Sequence, residues 1–292
     1  MKNIVHSENE LFNIPFSIEL IDDRENKKIN SKFNVNIFRL KIENQYFYGD
    51  EAKKGLANLI FKNIKSTISY QKSQNYFEFN YFDKKDNKNF LYNGELFFKP
   101  FHSYIKGYTN ELNLLHLFKS NSFISQILKT ELLNEKNLNL KLKINAEKIL
   151  NNNSFVNILL NSKIQEGFID IDNTSFKWKN YANFNLFNSL IYIDDGELIL
   201  DANSQINIID NNGIYKFLMT PKSYRKILKK INFNFSYNFD KKIINISDLR
   251  IDDKSNQKVS KILKNISIKN EVLQNKIYFK NLLNTALKNH AG

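Results

Sequence analysis

The feature of this chain that most constrains its fold is an alternation of apolar and polar residues with a period of two. Residues 138–145 alternate Leu or Ile with Asn or Lys, and residues 232–239 alternate Asn or Ser with Phe or Tyr. Because successive side chains of a β-strand point to opposite faces, each segment predicts a strand with one apolar and one polar face. Strands of this kind are typical of antiparallel sheets whose polar face meets water.

Less regular alternation recurs along much of the chain, and about eleven or twelve strands are predicted in total. Asp195-Gly196 and Asn212-Gly213 supply the positive φ angles that tight hairpins need, and the polar stretches 83–89, 151–153 and 240–242 are predicted as looser turns. Consecutive strands with short connections favour an antiparallel meander over βαβ units. The further strands are predicted at 33–42, 76–82, 90–98, 154–164, 167–172, 184–193, 197–209, 214–219 and 243–251.

Four short segments have the spacing of helices rather than strands. In each, apolar residues recur three or four positions apart, which is typical of one side of an amphipathic helix. Thr220-Pro221 begins the second segment as an N-cap followed by proline, and Asp252-Asp253 lies at the start of the third. Short helices of this kind need an apolar surface to pack on. The helices are predicted near residues 111–133, 221–231, 253–266 and 279–289.

These patterns predict a mainly β protein: an elongated, curved antiparallel sheet with a few short amphipathic helices. The alternation allows the sheet either to stay open as a groove or to fold over on itself. Only three prolines and eight glycines occur, and no Ser/Gly-rich linker divides the chain. The first helix gives the best division, into an N-terminal β region, residues 1–110, and a C-terminal β region with the helices, residues 111–292.

The net charge of +13 is weak evidence for any particular partner, because lysine rather than arginine produces almost all of it. Arginine occupies four positions, so that 39 of the 43 basic residues are Lys. Arginine is the preferred residue for forked recognition of phosphates and guanine, whereas Lys is a flexible, strongly hydrated point charge. We therefore expect a basic surface in water and no nucleic-acid partner, with a basic nucleic-acid-binding protein as a weaker alternative.

The residue types that carry catalysis are sparse. The chain has no cysteine, and its four histidines, at positions 6, 102, 116 and 290, show no metal-ligand spacing. No GxSxG, SxxK or phosphate-loop motif occurs. The acidic pairs Asp22-Asp23, Asp194-Asp195 and Asp252-Asp253 lack the further ligands that a calcium loop requires. We therefore predict a protein that is not an enzyme and that has no metal and no cofactor.

The extent of the apolar face is the strongest pointer to a ligand. The predicted strands carry Phe, Ile, Leu and Tyr on one face over nearly the whole chain, and few helices are present to cover them. Such a face either packs on itself or encloses something apolar. If it stays open, it forms a groove for a lipid or another apolar ligand. Five residues are candidates for lining that groove: Leu140, Leu142, Phe233, Phe235 and Tyr237.

The helix predicted at 221–231 combines an apolar stripe with basic residues. Its stripe falls at i, i+3, i+4 and i+7, with Tyr224, Ile227, Leu228 and Ile231. Basic residues on the remaining sides are typical of a helix that lies on an anionic membrane surface. The alternative is a helix that covers the sheet and keeps its lysines in water. The candidate membrane-contacting residues are Lys222, Arg225, Lys226, Lys229 and Lys230.

From about residue 94 onward, the order of segments has a counterpart in a known family. A strand leads into Phe98-Lys99-Pro100-Phe101, and the helix at 111–133 follows. This order and spacing, over about two thirds of the chain, resembles the C-terminal region of the AsmA-like proteins, relatives of TamB and of eukaryotic bridge-like lipid carriers. The remaining matching segments are Leu138–Lys148, Ile164–Lys179, Asn188–Asp201, the basic helix, Phe233–Phe239, Ile246–Asp253 and terminal helices that end at Ala291-Gly292.

The resemblance implies a β-groove in the bacterial envelope that handles phospholipids and supports outer-membrane assembly. It implies a phospholipid or other apolar ligand as partner and a periplasmic location associated with the inner membrane, while the basic helix adds the expectation of contact with the inner-membrane surface. Family members usually begin with an inner-membrane helix, whereas Met1–Pro15 is polar, so we expect no signal or transmembrane segment in this chain. The alternative function is that of a structural or assembly β module without a ligand.

Overall fold

The computed structural model of the chain is mainly β, as predicted. It describes residues 1–11, 13–48, 53–61, 64–85, 88–113, 122–130, 133, 138–255, 257–268 and 276–291. Residues 114–121, which include His116 and much of the first predicted helix, lie outside the described residues.

In the part of the chain that the structure describes, eighteen strands form one sheet, more than the eleven or twelve predicted. The additional strands are mostly in the N-terminal region, where the alternation is irregular. The strands are β1 (Lys2–Leu11), β2 (Ile14–Asp23), β3 (Lys28–Val35), β4 (Leu40–Phe47), β5 (Lys53–Phe61), β6 (Ile64–Lys72), β7 (Tyr76–Lys85), β8 (Lys88–Phe98), β9 (Phe101–Leu112), β10 (Asn139–Ile149), β11 (Asn152–Gln165), β12 (Phe168–Asp170), β13 (Ser175–Trp178), β14 (Ala182–Asp194), β15 (Glu197–Ile208), β16 (Lys230–Asn238), β17 (Ile243–Ile251) and β18 (Lys254–Ser255).

Within the described ranges, the helices are few and short. They are α1 (Phe123–Leu128), α2 (Asn211–Leu218), α3 (Gln257–Ile268) and α4 (Lys276–Ala291), with single 3-10 turns at Asn36–Phe38 and Lys222–Tyr224. No helix in the described part of the chain combines the length and the apolar character that a membrane crossing requires.

Strand pairing follows chain order over most of the sheet. From β1 to β9, each strand pairs antiparallel with the next, and the same holds from β13 to β18. The short strand β12 pairs with β14, and β13 pairs with both β11 and β14. At the β14–β15 hairpin, Asp195 and Gly196 have φ angles of 46° and 77°, which confirms the predicted tight turn.

The chain forms two compact units. The first comprises residues 1–111, 126–145 and 163–168, and the second comprises residues 112–125, 146–162 and 169–292. These units are not contiguous in sequence, unlike the regions 1–110 and 111–292 that we predicted. The difference arises because β10 pairs with β9 and so carries part of the later sequence into the first unit.

The core of the second unit lies between its sheet and its helices. Leu249 and Ile251 of β17 pack with Val259 of α3 and with Leu282 and Ala286 of α4. Val259 is 1% exposed, so that this part of the apolar sheet face is fully covered. The predicted helices 253–266 and 279–289 thus correspond to α3, which packs on β17, and to α4, which packs on α3.

The predicted strand at 214–219 and the predicted hairpin at Asn212-Gly213 are wrong, because this segment is helix α2. The Asp210 side chain accepts a hydrogen bond from the Gly213 backbone N at 2.9 Å and caps the helix. Met219, with a φ angle of 58°, ends it. A side chain at Gly213 would meet the Asp210 carboxylate and the Tyr181 ring. The glycine therefore permits close packing inside a helix rather than a hairpin.

The predicted helix at 221–231 is also wrong. Beyond the 3-10 turn at Lys222–Tyr224 the chain is extended, and β16 begins at Lys230. Tertiary hydrogen bonds replace the helical ones: the Asn211 side chain bonds both backbone groups of Leu228, and the Tyr215 hydroxyl donates to the Lys226 carbonyl. Ile231 belongs to β16 and pairs with Ile251 in the sheet. Its apolar side chain therefore reflects its position in a strand and not a helical stripe.

Two smaller predictions also differ from the structure. Asp252-Asp253 is a turn between β17 and β18 rather than a helix start; the Asp252 carboxylate accepts hydrogen bonds from the backbone N of Lys229 and Lys230 at 2.9 and 2.8 Å. The single strand predicted at 33–42 is interrupted by the 3-10 turn Asn36–Phe38, where Phe38 is buried. In the predicted helix 111–133, Glu111 and Leu112 belong to β9, and only α1 is described as helix.

Candidate apolar binding surface

The strand register of the first unit separates an apolar face from a polar face. On one face, Ile42 of β4 lies opposite Leu59 of β5, and Tyr70 of β6 lies opposite Phe79 of β7. These side chains, which we call the first-unit apolar face, are half-buried. On the other face the neighbours are mostly polar, as where Glu43 lies opposite Asn58. The alternation predicted from the sequence therefore produces two chemically distinct faces.

A cleft of about 370 Å³ lies on the first-unit apolar face. Its volume falls within the range of roughly 300–1,000 Å³ that is typical of small-molecule sites. Strands β3 to β8 all contribute to its walls, which combine aromatic and aliphatic groups with a few polar ones. The lining residues are Ser31, Ile42, Asn44, Tyr46, Ala57, Tyr70, Lys72, Phe77 and Phe98.

Two glycines let aromatic rings lie close against the sheet in and beside this cleft. A Cβ atom at Gly55 would come within 2.4 Å of the Tyr70 ring, and one at Gly94 would come within 2.7 Å of the Phe79 ring. Both glycines are opposite those aromatic residues in the strand register. Each ring therefore packs over the backbone of the opposite glycine. This packing supplies apolar surface at a position where the glycine has no side chain.

A short line of hydrogen bonds crosses the cleft. The Tyr70 hydroxyl donates to the Asn44 side-chain oxygen at 2.5 Å, and the Asn44 amide donates to the Ser31 hydroxyl at 3.2 Å. Burial raises the pKa of Tyr70, so its hydroxyl remains protonated and able to donate at neutral pH. The cleft thus offers polar groups at a fixed place within an apolar wall.

Aromatic contacts continue along the apolar face on one side of the cleft. The Tyr70 and Phe77 rings stack with centroids 4.8 Å apart, and the Tyr81 and Tyr92 rings lie 4.6 Å apart. Burial, followed by the proximity of Tyr81, raises the pKa of Tyr92 to about 12. These ring contacts fix the orientation of the wall.

The five predicted groove residues are divided between the units. Leu140 and Leu142 of β10 belong to the first unit, and Phe233, Phe235 and Tyr237 of β16 belong to the second. All five are half-buried, and none of them lines the cleft described above.

On β16, Phe233 packs against the second-unit core, and its ring lies 5.8 Å from that of Phe235. Burial raises the pKa of Tyr237. These three residues therefore form part of an apolar face that is covered at the Phe233 end.

The five predicted basic residues lie together, although not on a helix. Lys222, Lys226 and Lys229 are exposed. The Arg225 side chain instead donates to the Thr220 carbonyl at 2.9 Å, and the Lys230 ammonium lies 3.7 Å from the Asp253 carboxylate. The basic surface is therefore displayed by an extended loop.

The acidic pairs have roles in turns. Asp23 accepts hydrogen bonds from the backbone and side chain of Asn26, and Asp22 accepts one from the Tyr48 hydroxyl. His102 stacks on Phe97 at 4.4 Å. Among the described residues, no three side chains of His, Asp or Glu are grouped so that they could hold a metal ion.

The cleft itself was not predicted from the sequence. Its lining residues come from β3 to β8, and the strands predicted in this region, at 33–42, 76–82 and 90–98, belong to the less regular alternation and leave β5 and β6 out. One signal was available: Gly94 stands inside the predicted strand 90–98, and an isolated glycine in a strand often marks a close approach. Comparisons with protein-family models, with curated proteins and with solved structures found no match for this chain.

Proposed function

We propose that this chain is a non-enzymatic lipid-handling protein of the bacterial envelope and that its first-unit apolar face holds acyl chains. The observation that carries the proposal is the cleft: apolar side chains from five neighbouring strands, β4 to β8, line an open space of about 370 Å³, and all of them except the exposed Phe98 are half-buried. A face of this kind exposes apolar surface to water unless a ligand covers it. The resemblance to AsmA-like proteins supports the same class of ligand and is the support for the envelope location.

The dimensions of the cleft suit one acyl chain. Neighbouring strands lie about 4.8 Å apart, so β3 to β8 span roughly 24 Å along the sheet. One leaflet of a bilayer is about 15 Å of hydrocarbon, half of a core about 30 Å thick. Each methylene that enters such a cleft contributes about 0.8 kcal/mol. A chain of lipid length therefore has enough apolar wall to bind.

The polar groups of the cleft suit an amphiphile rather than a pure hydrocarbon. Tyr70, Asn44 and Ser31 place hydroxyl and amide groups within the wall, and the exposed Lys72 places a cation at its rim. An ester carbonyl or hydroxyl of a lipid could form hydrogen bonds with Tyr70, Asn44 or Ser31. An anionic headgroup could pair with Lys72. Catalysis is not required for either contact.

The proposal is tested by two neighbouring substitutions on β5. Ala57 lines the cleft, whereas Leu56 points to the polar face and is 56% exposed. Ala57→Asp places a carboxylate in the path of the acyl chain, and Leu56→Asp adds the same charge to the same strand on the other face. The measurements are mass spectrometry of co-purified lipid, binding of the fluorescent fatty acid cis-parinaric acid, and circular dichroism.

We expect both variants to fold and only Ala57→Asp to lose lipid. Ala57→Phe, which fills the cleft without adding charge, should lose lipid as well. A wild-type protein that binds neither lipid nor cis-parinaric acid would leave the alternative, a structural β module. The same conclusion would follow if Ala57→Asp unfolds while Leu56→Asp folds, because the site would then be a closed core.

A further inference from the structure

The second unit displays large apolar side chains among lysines on one loop. Met219 and Ile227 are 80% and 78% exposed, and Tyr224 is 39% exposed. Lys222, Lys226 and Lys229 are exposed between and beside them. We call residues 219–229 the basic loop. Single exposed apolar residues are ordinary on protein surfaces, but here several are concentrated on one loop with several cations.

The basic loop is held in place from beneath. Leu228 is 2% exposed, and the Asn211 side chain bonds its backbone carbonyl at 2.9 Å and its backbone N at 2.8 Å. The Tyr215 hydroxyl donates to the Lys226 carbonyl. Ile227 lies between Lys226 and Leu228, whose backbone groups are held by these hydrogen bonds. The fixed backbone therefore keeps the Ile227 side chain exposed to solvent.

The charge around the basic loop is positive. The ammonium group of Lys288 lies 5.9 Å from the Tyr224 ring centroid, and that of Lys280 lies 3.8 Å from the Phe217 ring centroid. These contacts add lysines of α4 to those of the loop. The bordering carboxylates are already engaged: Asp210 caps α2, Asp252 accepts two backbone N–H groups, and Asp253 lies beside Lys230.

We propose that the basic loop binds an anionic membrane surface and inserts Met219 and Ile227 into it. Each lysine near such a surface strengthens binding about fivefold, the equivalent of roughly 1 kcal/mol. Lysine stems extend along apolar surface while their ammonium groups stay at the headgroups. A protein partner fits less well, because the cores of protein interfaces are depleted of Lys. This surface does not involve the cleft and so adds a second lipid contact to the proposed function.

The test is co-sedimentation with vesicles of phosphatidylcholine that contain phosphatidylglycerol, with vesicles of phosphatidylcholine alone as reference. One variant, Met219→Asn with Ile227→Ser, removes the inserting groups; Asn tolerates the positive φ angle of Met219. A second variant changes Lys222, Lys226 and Lys229 to Glu. The matched controls are Ile4→Ser with Leu56→Ser, two exposed apolar residues, and Lys54, Lys65 and Lys141 changed to Glu, three exposed lysines.

We expect the wild-type protein to prefer the anionic vesicles and each loop variant to bind them at least tenfold more weakly, with the controls unchanged. High salt should reduce the difference between the wild-type and the lysine variant but should leave the apolar contribution. Ala57→Asp should bind the vesicles like the wild-type protein, which separates this surface from the cleft. No vesicle binding by the folded wild-type protein, or equal losses in the loop variants and the controls, would overturn the proposal.

Discussion

The apolar faces of the two units are built from the same alternation and have different surroundings. In the second unit, Leu249 and Ile251 lie beneath α3, on which α4 packs, and are 7% and 4% exposed. In the first unit, Ile42 and Ala57 stand at equivalent inward positions of their strands, but they are half-buried and line a cleft. The comparison shows that alternation determines which face is apolar, whereas the packing of helices determines whether that face becomes a closed core or stays partly exposed.

The largest expected effect compares one charge on the two faces. Leu249→Asp would bury a carboxylate without a partner in the second-unit core and should destabilise that unit by several kcal/mol, enough to unfold it. Ile42→Asp places the same group in the cleft, where water can reach it, and should cost about 1–2 kcal/mol. Urea unfolding followed by circular dichroism measures both. Equal losses of stability would mean that the two faces are equally closed.

A smaller effect is expected for the hydrogen bonds that attach the basic loop to α2 in the second unit. Asn211→Ala removes both side-chain hydrogen bonds to the Leu228 backbone and should cost about 1–3 kcal/mol, because buried polar groups lose their partner. Asn212→Ala is the matched control, since Asn212 is the next residue of the same helix and is exposed. Thermal unfolding compares the two variants. An unchanged melting temperature in Asn211→Ala would show that the loop backbone does not depend on the two hydrogen bonds between Asn211 and Leu228.

The smallest effect is on the polar face of the first unit. The hydrogen bond from Lys41, at 2.6 Å, lowers the pKa of the Glu43 carboxyl. A lowered pKa in the folded state stabilises the protein above the ordinary pKa of Glu, and this contribution is lost as the pH falls through the lowered value. Lys41→Gln should raise the pKa of Glu43 towards its ordinary value and make stability less dependent on pH in the acid range.

Titration of the Glu43 carboxyl by NMR measures this shift directly. Lys54→Gln is a useful reference, because Lys54 is an exposed lysine of the neighbouring strand β5 and its charge is not among those that lower the pKa of Glu43. An unchanged pKa of Glu43 in Lys41→Gln would indicate that the ion pair does not form in solution.

The fold class and the helices that cover the second unit were predictable because their signals are local. The stripes containing Val259 and Leu282 identified α3 and α4, and the alternation in 232–239 identified β16. The strongest failure, the helix at 221–231, followed from a good helical spacing that tertiary hydrogen bonds override: Leu228 is fixed by Asn211, far from any helical partner. Local patterns contain no information about such a bond.

The cleft could be predicted only in part. The apolar face was expected, and Leu140, Leu142, Phe233, Phe235 and Tyr237 are half-buried, but none of them lines the cleft. The position of the cleft depends on which strands are neighbours. It also depends on the Tyr70 side chain of β6, which passes over Gly55 of β5 and bonds Asn44 of β4. Strand register determines that contact, and the irregular N-terminal alternation does not specify the register.

The most direct test of lipid binding on the first-unit apolar face is photo-crosslinking in bacterial cells at two adjacent positions of β7. Phe77 lines the cleft, and Glu78 is on the polar face. A photoreactive phenylalanine, p-benzoylphenylalanine, replaces each residue in turn, and mass spectrometry of the irradiated protein detects covalent lipid adducts. We predict phospholipid adducts at position 77 and none at position 78. Adducts at neither position, or equal adducts at both, would contradict the account.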